Sequence, residues 1–140
     1  MVDSWIEVTQ AIVHPWLCDR QRHMNTRHYS GIFDDASWLL LAKLGYAGPA
    51  SHEGVGWADA RQVIEFKREA PEDSVLRVES KVAKLGTSSI AIRHRLIDLK
   101  DDALVATFES ATVCFDLATR KSRPIPEDIR RAVTDLFGMA

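Results

Sequence analysis

The 140-residue sequence predicts an α+β domain in which one long helix precedes an antiparallel sheet. Apolar residues recur at helical spacing from about Tyr29 to Leu44. From Val75 onward, apolar and polar residues alternate instead, and short groups of turn-forming residues separate the alternating runs. Alternation broken by short turns is typical of antiparallel strands that have one buried face.

The chain opens with an apolar run, Ile6–Val13, that predicts a first strand. Pro15 follows it and cannot continue a helix. The helix after it carries its apolar residues at Ile32, Phe33, Ala36, Leu39, Leu40 and Leu44, and the stripe is widened by Trp38, Leu41 and Ala42. So wide a stripe predicts a helix that is covered by protein on most sides. Gly45 stands where a helix C-terminal cap is expected.

The segment Gly48–Gly56 mixes turn formers without a period and predicts a mobile loop at the border of a pocket. Strands are expected at Val75–Val82, Ile90–Leu96 and Leu104–Phe115, with hairpin turns at Gly86 and Lys100–Asp102. The last strand is apolar on both faces, so one face should pack on the long helix. The other face should meet a second subunit or a terminal segment, and a second helix is expected from Pro126.

Length and composition indicate one domain, residues 1–140, large enough to bury a core without metals or disulfides. The net charge of −2 supplies no basic field for nucleic acid, so no nucleic-acid partner is expected. Cys18 and Cys114 are too few and too far apart to suggest a disulfide framework. The N-terminus lacks a signal-peptide pattern, and no run could span a bilayer, so we expect a cytoplasmic protein without a membrane partner.

The segment from Asp19 to Tyr29 carries the clearest chemical signal because it places a carboxylate, an imidazole (His23) and an amide (Asn25) just before the long helix. A helix N-terminus offers unpaired N–H groups that can polarise a carbonyl oxygen. A carboxylate nearby can attack that carbonyl or deprotonate a water molecule that does. Taken alone, an Asp here is also typical of a residue that caps a turn.

The segment from Asp19 to Tyr29 resembles the signature of the 4-hydroxybenzoyl-CoA thioesterase-like branch of the hotdog-fold superfamily. Two features later in the chain agree with that branch: Phe115-Asp116 and Pro124-Ile125-Pro126. The resemblance covers nearly the whole chain. It implies a hotdog fold, with a long central helix wrapped by a five- to six-stranded antiparallel sheet, and hydrolysis of an acyl-CoA. It also implies a homodimer or a dimer of dimers. Many members of that branch carry Gly before the His, whereas this chain has Arg22.

The resemblance implies that Asp19 is the nucleophile or general base and that His23 and Asn25 orient the substrate or the carboxylate. Backbone N–H groups from Thr26 to Gly31 would form the oxyanion site, so substrate-binding residues are expected at Thr26, Tyr29, Ser30 and Gly31. His23 and Asn25 could equally stabilise the turn into the helix. Tyr29 could instead anchor the helix start by packing.

Other interpretations remain open. Asp34 or Asp35 could replace Asp19, since other hotdog thioesterases use an acid on the central helix, although helical acids are usually solvated. Cys18 is expected to be a partly buried thiol, and His94 a core or interface residue. No motif suggests a metal, a cofactor or a phosphate-binding loop. A non-catalytic acyl-CoA-binding module and a hotdog hydratase or dehydratase are the alternative functions.

Overall fold

The structure is a computed structural model that describes residues 4–139. Met1–Asp3, on which the expectation of no signal peptide partly rests, lie outside the described residues. The described chain forms strands and helices in the order β1 (Ile6–Ile12), a 3-10 turn (Pro15–Leu17), α1 (Arg27–Lys43), β2 (Val55–Phe66), β3 (Val75–Leu85), β4 (Ser89–Asp98), β5 (Leu104–Asp116) and α2 (Glu127–Phe137).

The strands form one antiparallel sheet in the order β1-β3-β4-β5-β2. Hairpins join β3 to β4 and β4 to β5, as the turn residues predict. β1 and β2 are the two edges, and the long connection through α1 carries the chain from one edge to the other. The predicted α+β hotdog fold is confirmed, with five strands.

Helix α1 packs on one face of the sheet through side chains spaced three or four residues apart. Tyr29, Phe33, Ala36 and Leu40 are each at most 3 % exposed. The first three pack in one cluster with buried strand residues that include Leu76, Val78, Leu96 and Phe108. This spacing keeps one helix face on the sheet and explains why the helix forms here. Gly45 ends it with a φ of 104°, as the cap prediction requires.

The outer part of the predicted helix stripe is not covered in this chain. Trp38 and Leu39 are 46 % and 39 % exposed, and Ala42 is also exposed. The expectation of a helix enclosed on most sides is therefore wrong for the single chain. Exposed large apolar side chains on one helix face indicate a surface that another molecule can cover.

Helix α2 lies on the same side of the sheet as α1. Its buried residues Ile129, Val133 and Phe137 share a cluster with Leu40 of α1 and Ile92 of β4. The terminal segment therefore does not cover the outer face of β5, where Ala111, Val113 and Phe115 are half-buried. The C-terminal helix is therefore excluded as the partner of that face.

Strand β2 has no counterpart in the sequence-based prediction, which places a loop up to Gly56. Its residues Ala58 to Gln62 are exposed and mostly polar, because β2 is an edge strand whose one partner among the described strands is β5. The remaining loop, residues 48–54, is tied to α2 by a 2.8 Å contact between His52 Nε2 and Asp128 Oδ2. Within the single chain it does not line the cleft at Asp19.

Candidate active site

The segment between the 3-10 turn and α1 is a tight turn closed by its own backbone. Arg22 N–H donates to the Asp19 carbonyl (3.0 Å), and Asp19 N–H donates to the His23 carbonyl (3.2 Å). Arg22 adopts a φ of 64°, a left-handed conformation that glycine reaches at little cost. The turn therefore explains why the resembled family carries Gly at this position.

The Asp19 carboxylate is held by two neighbours in sequence. Its Oδ1 accepts the Gln21 N–H (2.8 Å), and its Oδ2 accepts from Asn25 Nδ2 (3.0 Å). These hydrogen bonds, the backbone bond first, lower the pKa of Asp19 below its usual value. Because the side chain is also exposed, Asp19 is a fixed, ionised carboxylate that a ligand can reach.

Asn25 uses both ends of its amide within the chain. Its Nδ2 donates to Asp19, while its Oδ1 accepts the Arg27 N–H (3.0 Å) at the start of α1. Its backbone N–H donates to the Leu17 carbonyl (2.9 Å). Of the two roles left open by the sequence, the geometry gives Asn25 the positioning role, because it joins the carboxylate to the helix start.

His23 is oriented by a residue that the sequence analysis missed. Its Nε2 lies 3.1 Å from Glu69 Oε2, just beyond the end of β2. Its Nδ1 is buried and, within residues 4–139, has no hydrogen-bond partner. Among the described atoms, no hydrogen bond joins the His23 side chain to the Asp19 carboxylate, whose partners are Gln21 and Asn25. Nothing in the sequence indicated that Glu69 lies at this site, because β2, which brings it there, was not predicted.

At the start of α1, most N–H groups are already occupied. Arg27 N–H donates to Asn25 Oδ1, His28 N–H to the Asn25 carbonyl (3.0 Å), and Tyr29 N–H to the Thr26 carbonyl (3.2 Å). Thr26 N–H has no acceptor among the described residues. Of the N–H groups predicted to form the oxyanion site, Thr26 therefore remains the candidate donor.

Ser30 and Gly31 do not reach the cleft. They lie inside α1, where N–H groups bond to the carbonyl four residues earlier, and both are exposed. Tyr29 is 3 % exposed and packs edge-on against Phe66 at 4.9 Å between ring centroids. Its main role is the packing role that the sequence left open, although part of its side chain lines the cleft.

A cleft of about 310 Å³ opens beside Asp19. Its lining combines residues from the turn, α1 and the end of β2: Asp19, Gln21, His23, Met24, Thr26, Tyr29, Phe66, Lys67, Arg68 and Glu69. A larger cleft of about 780 Å³ shares His23, Arg68 and Glu69 with it. The structure therefore brings Asp19, His23 and Thr26 together at one cleft, and Asn25 supports them from behind.

The alternative nucleophiles are less suited. Burial raises the pKa of the Cys18 thiol, which disfavours the reactive thiolate, and its Sγ approaches only the His14 carbonyl (3.8 Å). Asp34 and Asp35 lie on α1 and do not line the Asp19 cleft. In the part of the chain that the structure describes, no cluster of side chains suits a metal ion. No described helix has the length and apolarity to cross a membrane.

Comparison with known proteins gives a consistent result. Residues 13–133 match the family model of the thioesterase-like superfamily. No curated protein matches the sequence significantly. A Staphylococcus aureus protein solved in complex with CoA superposes with a TM-score of 0.89 at 16 % identity, over 99 % of this chain and 87 % of that one.

Two further solved structures have the same fold. A 1,4-dihydroxy-2-naphthoyl-CoA thioesterase from Synechocystis has a TM-score of 0.78 at 19 % identity, over 91 % of this chain and 95 % of that one. The probable thioesterase YbaW from Escherichia coli has a TM-score of 0.77 at 20 % identity, over 92 % and 97 %. At these identities, the likeness establishes the fold.

Proposed function

Because this chain belongs to the thioesterase-like superfamily, we propose that it hydrolyses an acyl-CoA thioester at the Asp19 cleft. One observation carries the proposal. An exposed, ionised carboxylate is fixed by Gln21 and Asn25 at the same cleft as Thr26, whose N–H has no acceptor among the described residues. A thioester carbonyl needs these two groups: a nucleophile or base on one side and an oxyanion donor on the other.

In the proposed reaction, the thioester oxygen accepts the Thr26 N–H. That group lies at the positive end of α1, so it stabilises the negative charge that develops on the oxygen. One such donor is worth about 3 kcal/mol in the transition state. Asp19 either attacks the carbonyl carbon and expels CoA as thiolate, leaving an anhydride that water cleaves, or deprotonates a water molecule that attacks. Both routes require the carboxylate form of Asp19.

The larger neighbouring cleft offers a place for the CoA part of the substrate. It continues from His23 and Glu69 past the exposed apolar side chains of Val75 and Leu99, which suit the pantetheine arm. Lys100 lies on its wall and can pair with a phosphate, whereas Arg68 is already bound to Asp98 and Asp101. The solved neighbour in complex with CoA supports this class of ligand.

We also infer a homodimer formed through the β2 edge. Two such dimers would pair into a dimer of dimers, and the protein would act in the cytoplasm. Among the described residues, one edge of β2 has no paired strand, and the exposed side chains of Phe66 and Trp38 lie close to that edge. Such an edge is a template for pairing with another strand, and two-fold symmetry requires β2 to meet itself antiparallel. The Phe66 end of one strand would then lie beside the Trp57 end of the other.

The test is thiol release from a panel of acyl-CoAs, followed with a thiol-reactive dye. We expect wild-type protein to hydrolyse at least one member, and Asp19→Asn to lose about a thousandfold in kcat/KM, since Asn keeps the shape but cannot attack or accept a proton. Asp35→Asn is the matched control, because Asp35 is an exposed helix acid that lines neither cleft beside Asp19.

Two results would contradict the proposal at different levels. If wild type releases no thiol from any acyl-CoA but binds one of them, the chain is a non-catalytic acyl-CoA-binding module. If Asp19→Asn is as active as wild type, hydrolysis stands, but the assignment of Asp19 is wrong.

A further inference from the structure

The proposed reaction needs a second base if it proceeds through the anhydride. In that route the first step acylates the Asp19 carboxylate, so Asp19 cannot take the proton of the water molecule that attacks next. Another group has to do so, because water is a weak nucleophile until a base removes its proton. A base other than Asp19 must therefore face the same cleft.

Among the described residues that line the cleft, two side chains can act as this base: His23 and Glu69. Lys67 and Arg68 are cations that pair with acids. Burial raises the pKa of Tyr29, which keeps its phenol protonated. Apart from Asp19, the other lining side chains carry no group that accepts a proton at neutral pH: Gln21, Met24, Thr26 and Phe66. The base is therefore His23 or Glu69, which contact each other at 3.1 Å between Nε2 and Oε2.

The backbone on both sides of Glu69 is fixed. After it, the Ala70 carbonyl accepts the Met24 N–H (2.8 Å), which joins this segment to the turn before α1. Before it, the Arg68 N–H donates to the Val105 carbonyl of β5 (3.1 Å). Ala70 is also fully buried. Glu69 therefore lies on a short segment that is held between the sheet and the turn, rather than on a free loop.

The imidazole of His23 has no nitrogen that a water molecule in the cleft can use. Its Nε2 is occupied by Glu69, and its Nδ1 is buried. The carboxylate of Glu69 differs, because His23 contacts only Oε2, and no hydrogen bond to Oε1 is found within residues 4–139. The Glu69 side chain is 68 % exposed, so Oε1 can meet water. Oε1 is therefore the available proton acceptor, and His23 holds the carboxylate through its other oxygen.

We propose that Glu69 is the general base of the second half-reaction and that His23 positions it. The inference rests on the proposed thioesterase function and selects the nucleophilic route for Asp19. Glu69 removes a proton from water while the water oxygen bonds to the acyl carbonyl carbon. The bond between that carbon and the Asp19 oxygen breaks, and its electron pair restores the Asp19 carboxylate. Glu69 passes its proton to solvent, and the acid product loses its remaining proton as it leaves.

The kinetic test separates the two half-reactions. CoA is released in the first, so kcat/KM for thiol release does not include the later attack of water. The substrate is the acyl-CoA that wild type hydrolyses fastest among acetyl-CoA, octanoyl-CoA and benzoyl-CoA. We expect Glu69→Gln to lower kcat about a hundredfold. Its KM should fall in parallel, so that kcat/KM stays within about threefold of wild type. Rapid mixing should show a burst of about one thiol per Asp19, followed by slow turnover.

Hydroxylamine tests whether the missing function of Glu69→Gln is proton removal. This amine attacks an anhydride without a base, so it should speed turnover of the variant and yield an acyl hydroxamate. Asp19→Asn corrects for the direct reaction of hydroxylamine with acyl-CoA. If Glu69→Gln forms no hydroxamate above that background, no acylated Asp19 accumulates and the proposal is overturned.

A positioning role for His23 predicts the same kinetic pattern in a weaker form. His23→Ala removes the donor to Glu69 and should lower kcat about tenfold with kcat/KM unchanged. His23→Gln keeps an N–H donor and should recover part of the loss. A fall in kcat/KM that matches the fall in kcat would instead place His23 in the first half-reaction and overturn its positioning of Glu69.

Glu72→Gln is the matched control, because Glu72 is an exposed acid close to Glu69 in sequence that lines neither cleft. It should follow wild type in kcat, KM and the absence or size of a burst. If Glu69→Gln lowers kcat and kcat/KM equally without a burst, or changes neither, Glu69 is not the base, although thioester hydrolysis stands. If wild type releases no thiol from any of the three acyl-CoAs, the proposed function itself fails and the role of Glu69 with it.

Discussion

The Asp19 carboxylate and the His94 ring are each fixed by two hydrogen bonds, but Asp19 is ionised whereas His94 is neutral. Asp19 is exposed, and its partners Gln21 and Asn25 are two and six residues away in sequence. His94 is 1 % exposed, and its partners Ser80 and Ser37 are 14 and 57 residues away. Local donors and solvent keep the first group ionised, whereas burial keeps the second neutral. The comparison shows that access to water, rather than the number of hydrogen bonds, separates the charge states of these two fixed side chains.

The largest expected effect is a loss of folding stability at low pH, caused by His94. Burial lowers the pKa of His94 to about 3. The unfolded chain takes up the proton near pH 6.5 but the folded chain does not, so stability is full above pH 6.5 and is lost as the pH falls towards 3. This group alone should reduce the free energy of unfolding by about 1.4 kcal/mol per pH unit in that window.

Urea unfolding at several pH values measures this slope. The comparison protein is His94→Gln, which keeps polar atoms at the site but does not titrate. We expect it to be less stable than wild type at pH 7 and to lose less stability on acidification. An equal slope in both proteins would show that His94 is protonated in the folded state.

The next effect concerns the positioning of Asp19. Asn25→Ala removes a donor to the carboxylate and the acceptor of the Arg27 N–H. We expect kcat/KM to fall about tenfold to a hundredfold, and the helix to lose about 1 kcal/mol of N-terminal stabilisation. The pKa of Asp19 should also rise towards its usual value. Because activity requires the carboxylate, the acid limb of the pH profile should move to higher pH.

The matched control is Gln21→Ala, since only the backbone N–H of Gln21 bonds to Asp19. Its rate and pH profile should follow wild type. If Asn25→Ala lowers the rate without moving the acid limb, then the amide does not control the protonation of Asp19.

The smallest effect tests the turn itself. Arg22→Gly relieves a left-handed φ of 64° at the cost of a more flexible unfolded chain. We expect a net stabilisation of about 0.5 kcal/mol in urea unfolding. Arg20→Gly, at a neighbouring position without a positive φ, should instead destabilise the protein. If both variants are stabilised, or neither is, then the left-handed conformation at residue 22 does not lower the stability of the protein.

The elements predicted from sequence are those in which the local pattern and the tertiary burial agree. The spacing of Phe33, Ala36 and Leu40 predicts α1, and the alternation in Val75–Val82 predicts β3, because each element buries one regular face. Strand β2 was missed because an edge strand needs no continuous apolar face. Glu69 and Phe66 were missed with it, since their places at the cleft depend on where β2 ends.

The sequence by itself determined helix α1, the hairpin-linked strands β3, β4 and β5, and the Asp19–Asn25 turn, since these depend on neighbours a few residues apart. The left-handed Arg22, the Asp19 hydrogen bonds and the start of α1 all lie within nine residues. Only the tertiary structure decided what orients His23 and what surrounds His94. Those depend on strands brought together from distant parts of the chain, where burial and pairing, rather than local preference, set each group's environment.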